Sequence, residues 1–191
     1  MSPDPLVSTF ADHIMAESPK GPVLDLASGD GRNGLFLASR GLSVILADRS
    51  EEALSKAKEA AAGVQGKVSI WKVDLEIPGR NPLKEEAYSA ILVFRYLHRP
   101  LMPCIRKALR TGGFLLYATY TLDQAQFGKP RNPDFLLKPG ELMEWFKDWQ
   151  ILHRFEGIQE NPRRAVAEIV CRKPRNRIQE LRNSGIKEFN S

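Results

Sequence analysis

The sequence predicts an α/β fold, in which a mostly parallel β-sheet is covered by helices on both faces. Apolar segments of strand length alternate with segments of helical pattern along most of the chain. One of them, Tyr88–Phe94, is apolar at nearly every position, which is typical of a strand in the middle of a parallel sheet. A glycine-rich turn, Gly29–Gly34, joins another such segment to a predicted helix.

Capping and turn residues delimit the predicted elements in the first half of the chain. Asp4 and Pro5 favour the start of a first helix, which has apolar residues at intervals of four. Gly41 favours the end of the next helix, and Ser50 favours the start of the third. The predicted elements are a helix from residue 5, a strand at 22–26, a helix at 32–39, a strand at 43–47, a helix from residue 51 and a strand at 67–72.

The second half of the chain predicts four more strands and two more helices. A turn at Thr111–Gly113 separates a helix from the next strand, and Glu160–Arg163 joins the last two strands in a hairpin. The predicted elements are a strand at 88–94, a helix at 101–109, a strand at 114–118, a loop at 121–138, a helix at 140–146 and strands at 150–159 and 164–172. Together they make a doubly wound, seven-stranded, mostly parallel sheet in three α/β/α layers, with the last strand antiparallel.

Length and composition restrict the class of protein. A chain of 191 residues with 42% hydrophobic residues suits one folded domain, predicted at 1–173. The sequence has no apolar run of about eighteen residues and no secretion signal, so we expect a cytoplasmic protein without a membrane span. The two cysteines and three scattered histidines have no metal-ligand spacing, and we expect neither a metal site nor a disulfide.

The basic charge of the chain is concentrated at its C-terminus. The net charge is +5, and residues 172–191 hold six basic residues against two acidic ones, or +4. The rest of the chain is therefore close to neutral. A basic tail, predicted at 174–191, is compatible with contact to nucleic acid or with a solvated chain end, and both interpretations stay open.

An acidic residue lies within or directly after each of the first three predicted strands. Asp25 is inside the first strand, where a buried carboxylate is costly unless it is paired or used. Asp48 lies nineteen residues after Gly29, where a carboxylate can accept both hydroxyls of a ribose, and Asp74 is placed to accept an adenine amino group. Doubly wound folds bind ligands beyond the carboxyl ends of their strands, here between strands one and four. The acidic row therefore predicts a nucleoside site.

Five segments of the sequence resemble the class I S-adenosylmethionine-dependent methyltransferases. They are DLASGDG at 25–31, ILAD at 45–48, KVDLE at 72–76, AILVFRYLH at 90–98 and LRTGGFLLYATY at 109–120. The resemblance extends from about residue 6 to residue 173 and implies the family's Rossmann-like fold. One departure is Ser28, where the family more often has Gly or Cys. A small residue is kept there, so the loop is expected to close.

The resemblance implies S-adenosylmethionine as the cofactor. By this resemblance the loop after the first strand surrounds the methionine part of the cofactor, Asp48 holds the ribose, and Asp74 with Leu75 flanks the adenine. The Phe94 carbonyl is expected near the ammonium group, and a side chain at the helix start near the carboxylate. The expected cofactor-binding residues are Asp25, Ala27, Ser28, Gly29, Gly31, Arg32, Asn33, Asp48, Arg49, Asp74, Leu75 and Phe94.

Acceptor-side residues of this family lie after the fourth strand, and here a long loop after the fifth adds further polar groups. His98 is the histidine best placed to act as a base near neutral pH, and a capping or packing role is the alternative. Cations in both segments predict a positively charged acceptor pocket, with a solvated basic loop as the alternative. The expected catalytic residues are His98, Arg95 and Tyr96, and the expected substrate-binding residues are Arg99, Tyr120, Lys129 and Arg131.

A narrower resemblance relates the last third of the chain to the small tellurite-resistance-type methyltransferases. It depends on residues 133–142 and 149–152 and implies small acceptors that are anionic or thiol-like. The expected function is methyl transfer to such an acceptor by in-line displacement, with the oligomeric state left open. The alternatives are an RNA or protein methyltransferase that docks through the basic tail and a non-catalytic cofactor-binding module. The chain length disfavours a nicotinamide dehydrogenase.

Overall fold

The computed structural model describes residues 2–175, which form seven strands and five helices. The strands are β1 (Val23–Leu26), β2 (Val44–Asp48), β3 (Val68–Lys72), β4 (Tyr88–Phe94), β5 (Leu109–Tyr120), β6 (Gln150–Glu160) and β7 (Arg163–Arg172). The helices are α1 (Pro5–Glu17), α2 (Arg32–Ser39), α3 (Glu51–Ala60), α4 (Met102–Ala108) and α5 (Glu141–Phe146). Short 3-10 turns occupy Arg99–Leu101, Leu122–Gln126 and Pro133–Phe135.

The seven strands form one sheet in the order β3-β2-β1-β4-β5-β7-β6. Strands β1 to β5 are parallel, and β7 runs antiparallel to both β5 and β6. The chain moves outward from β1 to β3 and then returns to place β4 on the other side of β1. The predicted fold class and the predicted switch point between the first and fourth strands are therefore confirmed.

Helices cover both faces of the sheet because successive strand residues point to opposite sides. In β1, Leu24 and Leu26 join the apolar core under α4 and α5. Val23 belongs to the second core, which is formed with α1, α2 and α3. Asp25 alternates with Leu24 and Leu26 and so lies on the same side as α2.

Local capping signals explain where the helices begin. The Asp4 carboxylate accepts the N–H of Leu6 at the start of α1, and the Ser50 hydroxyl accepts the N–H of Ala53 at the start of α3. Both caps follow from the sequence pattern. Helix α2 begins differently, because Gly31 precedes it in the left-handed conformation and offers no capping side chain. The first N–H groups of α2 are thus free to meet partners from elsewhere in the fold.

Strand β5 is longer than the sequence predicts, because it begins at Leu109 rather than at residue 114. The predicted turn at Thr111–Gly113 is an irregularity inside the strand, where the β4 partner changes from Tyr88↔Leu109 to Ala90↔Phe114. Hydrogen bonds from outside the β4–β5 pair support it. The Glu86 carboxylate accepts the Thr111 N–H, and the Gly112 N–H donates to the Lys173 carbonyl. Both partners are distant in sequence, so a local pattern does not reveal them.

The loop between β5 and α5 is closed at its base by backbone hydrogen bonds. The Leu137 N–H donates to the Tyr120 carbonyl, and the Leu122 N–H donates to the Leu137 carbonyl. The segment between these bonds contains two of the 3-10 turns rather than being wholly irregular. It projects from the carboxyl end of β5, the edge of the sheet where β2 ends at Asp48 and Asp74 follows β3.

Two further properties concern residues 2–175 only. No helix in this range has both the length and the apolar character needed to cross a membrane. The same range contains no cluster of three or more His, Cys, Asp or Glu side chains that could hold a metal ion. Cys104 and Cys171 are free thiols.

Candidate cofactor and acceptor site

A cavity of about 680 Å³ lies at the carboxyl ends of the parallel strands. This volume is within the range of about 300–1,000 Å³ that is usual for small-molecule sites. Two groups of side chains form its walls. One follows β2 and β3 and is acidic, and the other follows β4 and β5 and is basic and aromatic.

The acidic wall is built around Asp48 and Asp74. One Asp48 oxygen accepts the Gly29 N–H at 2.8 Å, and the other accepts the Ser50 N–H at 2.8 Å. A carboxylate offers about four lone-pair sites, so Asp48 keeps the capacity to accept further donors from the cavity. Asp74 accepts the Glu76 N–H at 2.9 Å and also lines the cavity. Two carboxylates at adjacent strand ends can accept the hydroxyl and amino donors of an adenosyl group.

Three other predicted cofactor residues also line this wall, namely Ala27, Arg49 and Leu75. Ala27 has a backbone φ of 51°, a left-handed conformation that turns the chain sharply after β1. Leu75 is buried and gives the wall an apolar surface between its carboxylates. Arg49 lies 3.7 Å from Glu76 in an ion pair at the rim.

The glycine loop serves packing more than ligand approach. A Cβ on Gly31 would lie 2.6 Å from Leu46, and one on Gly34 would lie 2.4 Å from the same side chain. These two glycines therefore let α2 pack closely on β2. Of the three glycines in this loop, only Gly29 has open space where an added Cβ would lie. In the described part of the chain Ser28, Gly29 and Gly31 do not line the cavity, which differs from the expectation that they contact the cofactor.

Asp25 faces α2 rather than the cavity. Its Oδ2 accepts the Gly34 N–H at 2.8 Å, which ties β1 to the first turn of α2. Burial raises its pKa to about 7, while the Gly34 hydrogen bond and the nearby Arg32 charge act in the opposite direction. Asp25 is thus placed to organise the loop through the helix start, and it does not itself line the cavity.

Residues Arg32 and Asn33, expected near the cofactor carboxylate, lie against Asp4 instead. The Asn33 Oδ1 accepts the Asp4 N–H at 2.8 Å, and the Arg32 guanidinium lies 3.8 Å from the Asp4 carboxylate. This pairing connects α2 to the beginning of α1. Phe94 lies outside the main cavity as well, and it borders a smaller recess together with Arg95 and Asp4.

The basic wall contains Arg95, Lys129 and Arg131. Within residues 2–175, none of these three side chains has a carboxylate within ion-pair distance. Arg95 has a φ of 56°, a conformation that costs a non-glycine residue on the order of 1–2 kcal/mol, and its N–H donates to the Ala118 carbonyl. Strained residues of this kind are often found at functional sites. The wall therefore presents unneutralised positive charge to the cavity.

Three aromatic side chains, Tyr96, Tyr120 and Phe135, complete the basic wall. The Tyr96 hydroxyl is buried and has no hydrogen-bond partner among the described residues. Burial, and then the negative charge of Glu76, raises the pKa of Tyr96 well above its usual range. The hydroxyl therefore stays protonated.

His98 and Arg99 are not brought to the cavity. Neither of them lines it, and the His98 carbonyl accepts the Leu101 N–H at the turn before α4. The Arg99 guanidinium donates twice to the Glu141 carboxylate, at 2.7 and 2.8 Å, and also to two backbone carbonyls of the β5–α5 loop. Because four of its five N–H donors are taken and it does not line the cavity, the expected contact of Arg99 with an anionic acceptor has no support in this geometry.

Several cavity residues lie outside the sequence-based set. Glu76 and Thr119 each follow or end a strand, so their position at a carboxyl end is the signal that would have indicated them. Val73, Leu97 and Pro130 carry no distinguishing chemistry, and only the three-dimensional arrangement places them in the wall. Asn132 and Phe135 come from the loop that the sequence indicates as a binding loop.

Two relatives in sequence are named as methyltransferases. A probable S-adenosyl-L-methionine-dependent methyltransferase TehB from Haemophilus influenzae is 29% identical over 143 residues, which covers 72% of this chain and 49% of the relative. A tRNA 5-carboxymethoxyuridine methyltransferase from Escherichia coli K12 is 27% identical over 171 residues, covering 74% of this chain and 65% of the relative. The chain thus spans about half of the length of the first relative and under two thirds of the second.

Solved structures share the fold. The crystal structure of TehB from Haemophilus influenzae has a TM-score of 0.69 and 24% identity, with 88% of this chain and 61% of that chain covered. An S-adenosylmethionine-dependent methyltransferase from Mesorhizobium loti has a TM-score of 0.65 and 16% identity, with 88% and 98% covered. The narrower resemblance of the C-terminal third is confirmed over most of the chain. The family model described as tellurite resistance protein TehB matches residues 6–167, and the protein belongs to that family.

Proposed function

We propose that this protein transfers the methyl group of S-adenosylmethionine to a small anionic acceptor. The observation that carries the proposal is the division of charge across one cavity, with carboxylates on the β2–β3 side and free cations on the β4–β5 side. An adenosyl group offers hydroxyl and amino donors, which suit the acidic wall. An anionic acceptor suits the basic wall. The cofactor and the acceptor would therefore meet in the space between the two walls.

The residues on the acidic side fit the cofactor. Asp48 accepts the ribose hydroxyls, and Asp74 accepts the adenine amino group while Leu75 packs on the ring. Bound S-adenosylmethionine would supply a methyl group that is attached to a positively charged sulfur. The product that remains after methyl transfer is S-adenosylhomocysteine. The backbone turn at Ala27 lets the chain pass close to the cavity, where a larger side chain would narrow it.

The residues on the basic side hold and orient the acceptor. Arg95, Lys129 and Arg131 attract an anion into the cavity, and Tyr96 contributes an aromatic surface to the same wall. An acceptor atom that arrives as an anion already carries the lone pair that methyl transfer would use, and the cofactor sulfur would take up the electron pair of the carbon–sulfur bond. No proton has to be removed in this step, so the mechanism does not need His98 as a base. Alignment of donor and acceptor can supply up to about 7–11 kcal/mol of barrier reduction.

A second candidate is methyl transfer to RNA. The relative from Escherichia coli is named as a tRNA methyltransferase, and the chain has a basic C-terminus. Phe135 is half-exposed at the cavity rim beside two cations, an arrangement suited to stacking an unpaired base. In this case the anionic acceptor is part of a nucleotide rather than a free small molecule.

Two measurements test the proposal. Calorimetry is expected to detect binding of S-adenosylmethionine and S-adenosylhomocysteine but not of a nicotinamide dinucleotide. An array of small acceptors, with carboxylates, oxyanions and thiolates beside neutral amines and alcohols, is then screened for release of S-adenosylhomocysteine. Turnover restricted to anionic acceptors supports the proposal. Failure to bind the cofactor overturns it, and turnover of tRNA alone favours the second candidate. Tight cofactor binding without turnover of any acceptor favours a non-catalytic module.

A further inference from the structure

The loop that supplies Lys129 and Arg131 is held from the protein interior at its first turn. Gln124 is a buried polar residue in that turn. Its Oε1 accepts the Ala165 N–H of β7 at 2.9 Å, and its Nε2 donates to the Lys129 carbonyl at 3.2 Å. A single side chain therefore connects the last antiparallel strand to the residue that begins the cationic segment.

The other end of the same segment is held by Arg99. Its guanidinium donates to the Asp134 carbonyl and the Leu136 carbonyl, each at 2.9 Å, and to both oxygens of Glu141. Glu141 also accepts the Lys138 N–H at 2.8 Å, so the ion pair joins the post-β4 turn, the loop and α5. The two side chains are 32% and 16% exposed, so solvent screens this pair less than an ordinary surface ion pair.

We propose that Arg99 and Gln124 are positioning residues that fix the acceptor wall of the cavity. The segment between their contacts, 129–135, contains all of the residues of the 121–138 loop that line the cavity, including Lys129 and Arg131. Neither Arg99 nor Gln124 lines the cavity. Both side chains form hydrogen bonds with the backbone of the loop and with residues of α5 or β7 beside it. The cofactor wall is built from other elements, after β2 and β3. The inference depends on the proposed function only in naming this segment as the acceptor wall.

The hydrogen-bond pattern of Arg99 requires an arginine side chain. Four hydrogen bonds leave one guanidinium in several directions, and a planar fork with fixed donors suits this pattern. A lysine at this position offers one compact ammonium group, which cannot meet two carbonyls and both carboxylate oxygens together. Loss of the fork removes this donor from the two loop carbonyls and leaves Glu141 with the Lys138 N–H alone, and the exposed segment then opens more often.

Trypsin reports on this opening at one bond. Within 121–138 the basic residues are Lys129, Arg131 and Lys138, and both lysines precede proline, where trypsin does not cut. Cleavage after Arg131 therefore measures how often the cationic segment leaves its place. We expect Arg99→Met and Arg99→Lys to raise the cleavage rate there at least about tenfold, the factor that corresponds to 1.4 kcal/mol of local opening. Gln124→Met is expected to raise it as well.

Arg106 provides a matched control. Like Arg99, Arg106 lies in the segment that follows β4, within α4. Its guanidinium donates two hydrogen bonds to the Asp148 carboxylate and one to the Trp145 carbonyl. Within residues 2–175, none of its hydrogen bonds or ion pairs reaches the β5–α5 loop. Arg106→Met is expected to lower the melting temperature while cleavage after Arg131 stays at the wild-type rate.

Two further readouts separate positioning from general stability. Affinity for S-adenosylmethionine, measured by calorimetry, is expected to be unchanged in the Arg99 and Gln124 variants. The double variant Arg99→Met/Glu141→Leu is expected to cleave more slowly than the product of the two single-variant accelerations, because both changes break one ion pair. A purely destabilising effect would instead add up.

Each result decides the inference. Wild-type cleavage rates in the variants, equal acceleration in Arg106→Met, or loss of cofactor affinity together with loop opening would overturn it. If Arg99→Met does not accumulate as a folded protein, Arg99→Lys and Gln124→Met carry the same comparison. Absence of cofactor binding in the wild type contradicts the proposed function instead, and it leaves the cleavage comparison readable.

Discussion

Asp25 is a carboxylate in the middle of a buried strand, and its environment disfavours the charged form. The Gly34 N–H stabilises the ionised group, but the loss of hydration outweighs this bond, and the pKa of Asp25 is raised from 3.8 to about 7. The folded protein therefore keeps a proton on Asp25 at pH values where the unfolded chain has released it. The free energy of unfolding is then expected to fall as pH rises from about 4 to about 7 and to change little from this source above that range.

The variant Asp25→Asn tests this dependence. The amide oxygen can still accept the Gly34 N–H, but it does not titrate. Between about pH 5 and pH 8, the stability of the wild type relative to the variant is expected to fall by up to about 3 kcal/mol, at 1.36 kcal/mol per unit. Urea unfolding of both proteins at each pH measures it. A difference that stays constant, or grows with pH, contradicts the raised pKa.

Asp48 is the residue on which cofactor affinity is expected to depend most. Its carboxylate accepts two backbone N–H groups and faces the cavity with its remaining lone pairs. Asp48→Asn keeps one oxygen acceptor but loses the charge, so charge-assisted bonds to a ribose weaken. We expect a loss of roughly 1.5–3 kcal/mol in S-adenosylmethionine binding, measured by calorimetry. Asp12→Asn, which changes an exposed carboxylate of α1 outside the cavity, serves as the control. Equal affinity in Asp48→Asn and the wild type removes Asp48 from the site.

Single residues differ in how far the sequence alone could place them. Asp48 and Asp74 follow apolar strands, and parallel topology brings such positions to one edge, so the acidic wall could be predicted. Asn33 and Arg99 could not, because their partners lie 29 and 42 positions away. Arg99 is expected from the sequence to bind the substrate, but its partner is Glu141 rather than a ligand.

At the scale of elements, the close packing of α2 on β2 depends on glycine. A Cβ on Gly34 would lie 2.4 Å from Leu46 and 2.9 Å from Val44, and both side chains are fully buried. Neither neighbour has room to move, so an added methyl group must push the helix away from the strand. The same helix carries the N–H that Asp25 accepts.

Gly34→Ala is therefore expected to destabilise the protein. Overpacking costs typically about 1–3 kcal/mol, and alanine's better helix propensity offsets up to roughly 1 kcal/mol of it. Urea unfolding measures the difference, with Ser39→Ala on the exposed end of α2 as the control, expected within about 0.5 kcal/mol of wild type. A stabilised Gly34→Ala variant would mean that the helix can shift without strain.

Elements whose ends are set locally agree with the sequence, and those set by distant partners do not. Helices α1 and α3 begin where Asp4 and Ser50 cap them. Strand β5 begins earlier than predicted because Glu86 and Lys173 satisfy the backbone around Gly112. A pair of glycines usually indicates a turn. Whether the pair instead forms an irregularity within a strand depends on which strands lie beside it in the sheet.

At the scale of the whole molecule, the two halves of the sheet contribute opposite charge to one cavity. The β2 and β3 ends supply carboxylates, and the segments after β4 and β5 supply cations. The alternation of strands and helices predicts that these ends meet, so the sequence could locate the cavity. It could not show how the 121–138 loop folds back over it, because the contacts that hold that loop reach β7 and the post-β4 turn.

The C-terminal residues beyond 175, which lie outside the described range, distinguish a small-acceptor enzyme from an RNA enzyme. Every cavity and loop contact named above belongs to residues 2–175, so a chain ending at Arg175 is expected to keep its cofactor affinity and its turnover of a small anion at low and high salt.

The removed segment carries Arg177, Arg182 and Lys187. If RNA docks there, truncation reduces the slope of log affinity against log salt by up to about 2–3, at roughly 0.7–0.9 per phosphate contact. Anisotropy titrations of a labelled tRNA across a salt series measure this slope, and the full-length variant with these three residues changed to Gln separates charge from length. An unchanged slope excludes docking through the tail, whereas small-anion turnover that falls on truncation contradicts the small-acceptor proposal as framed.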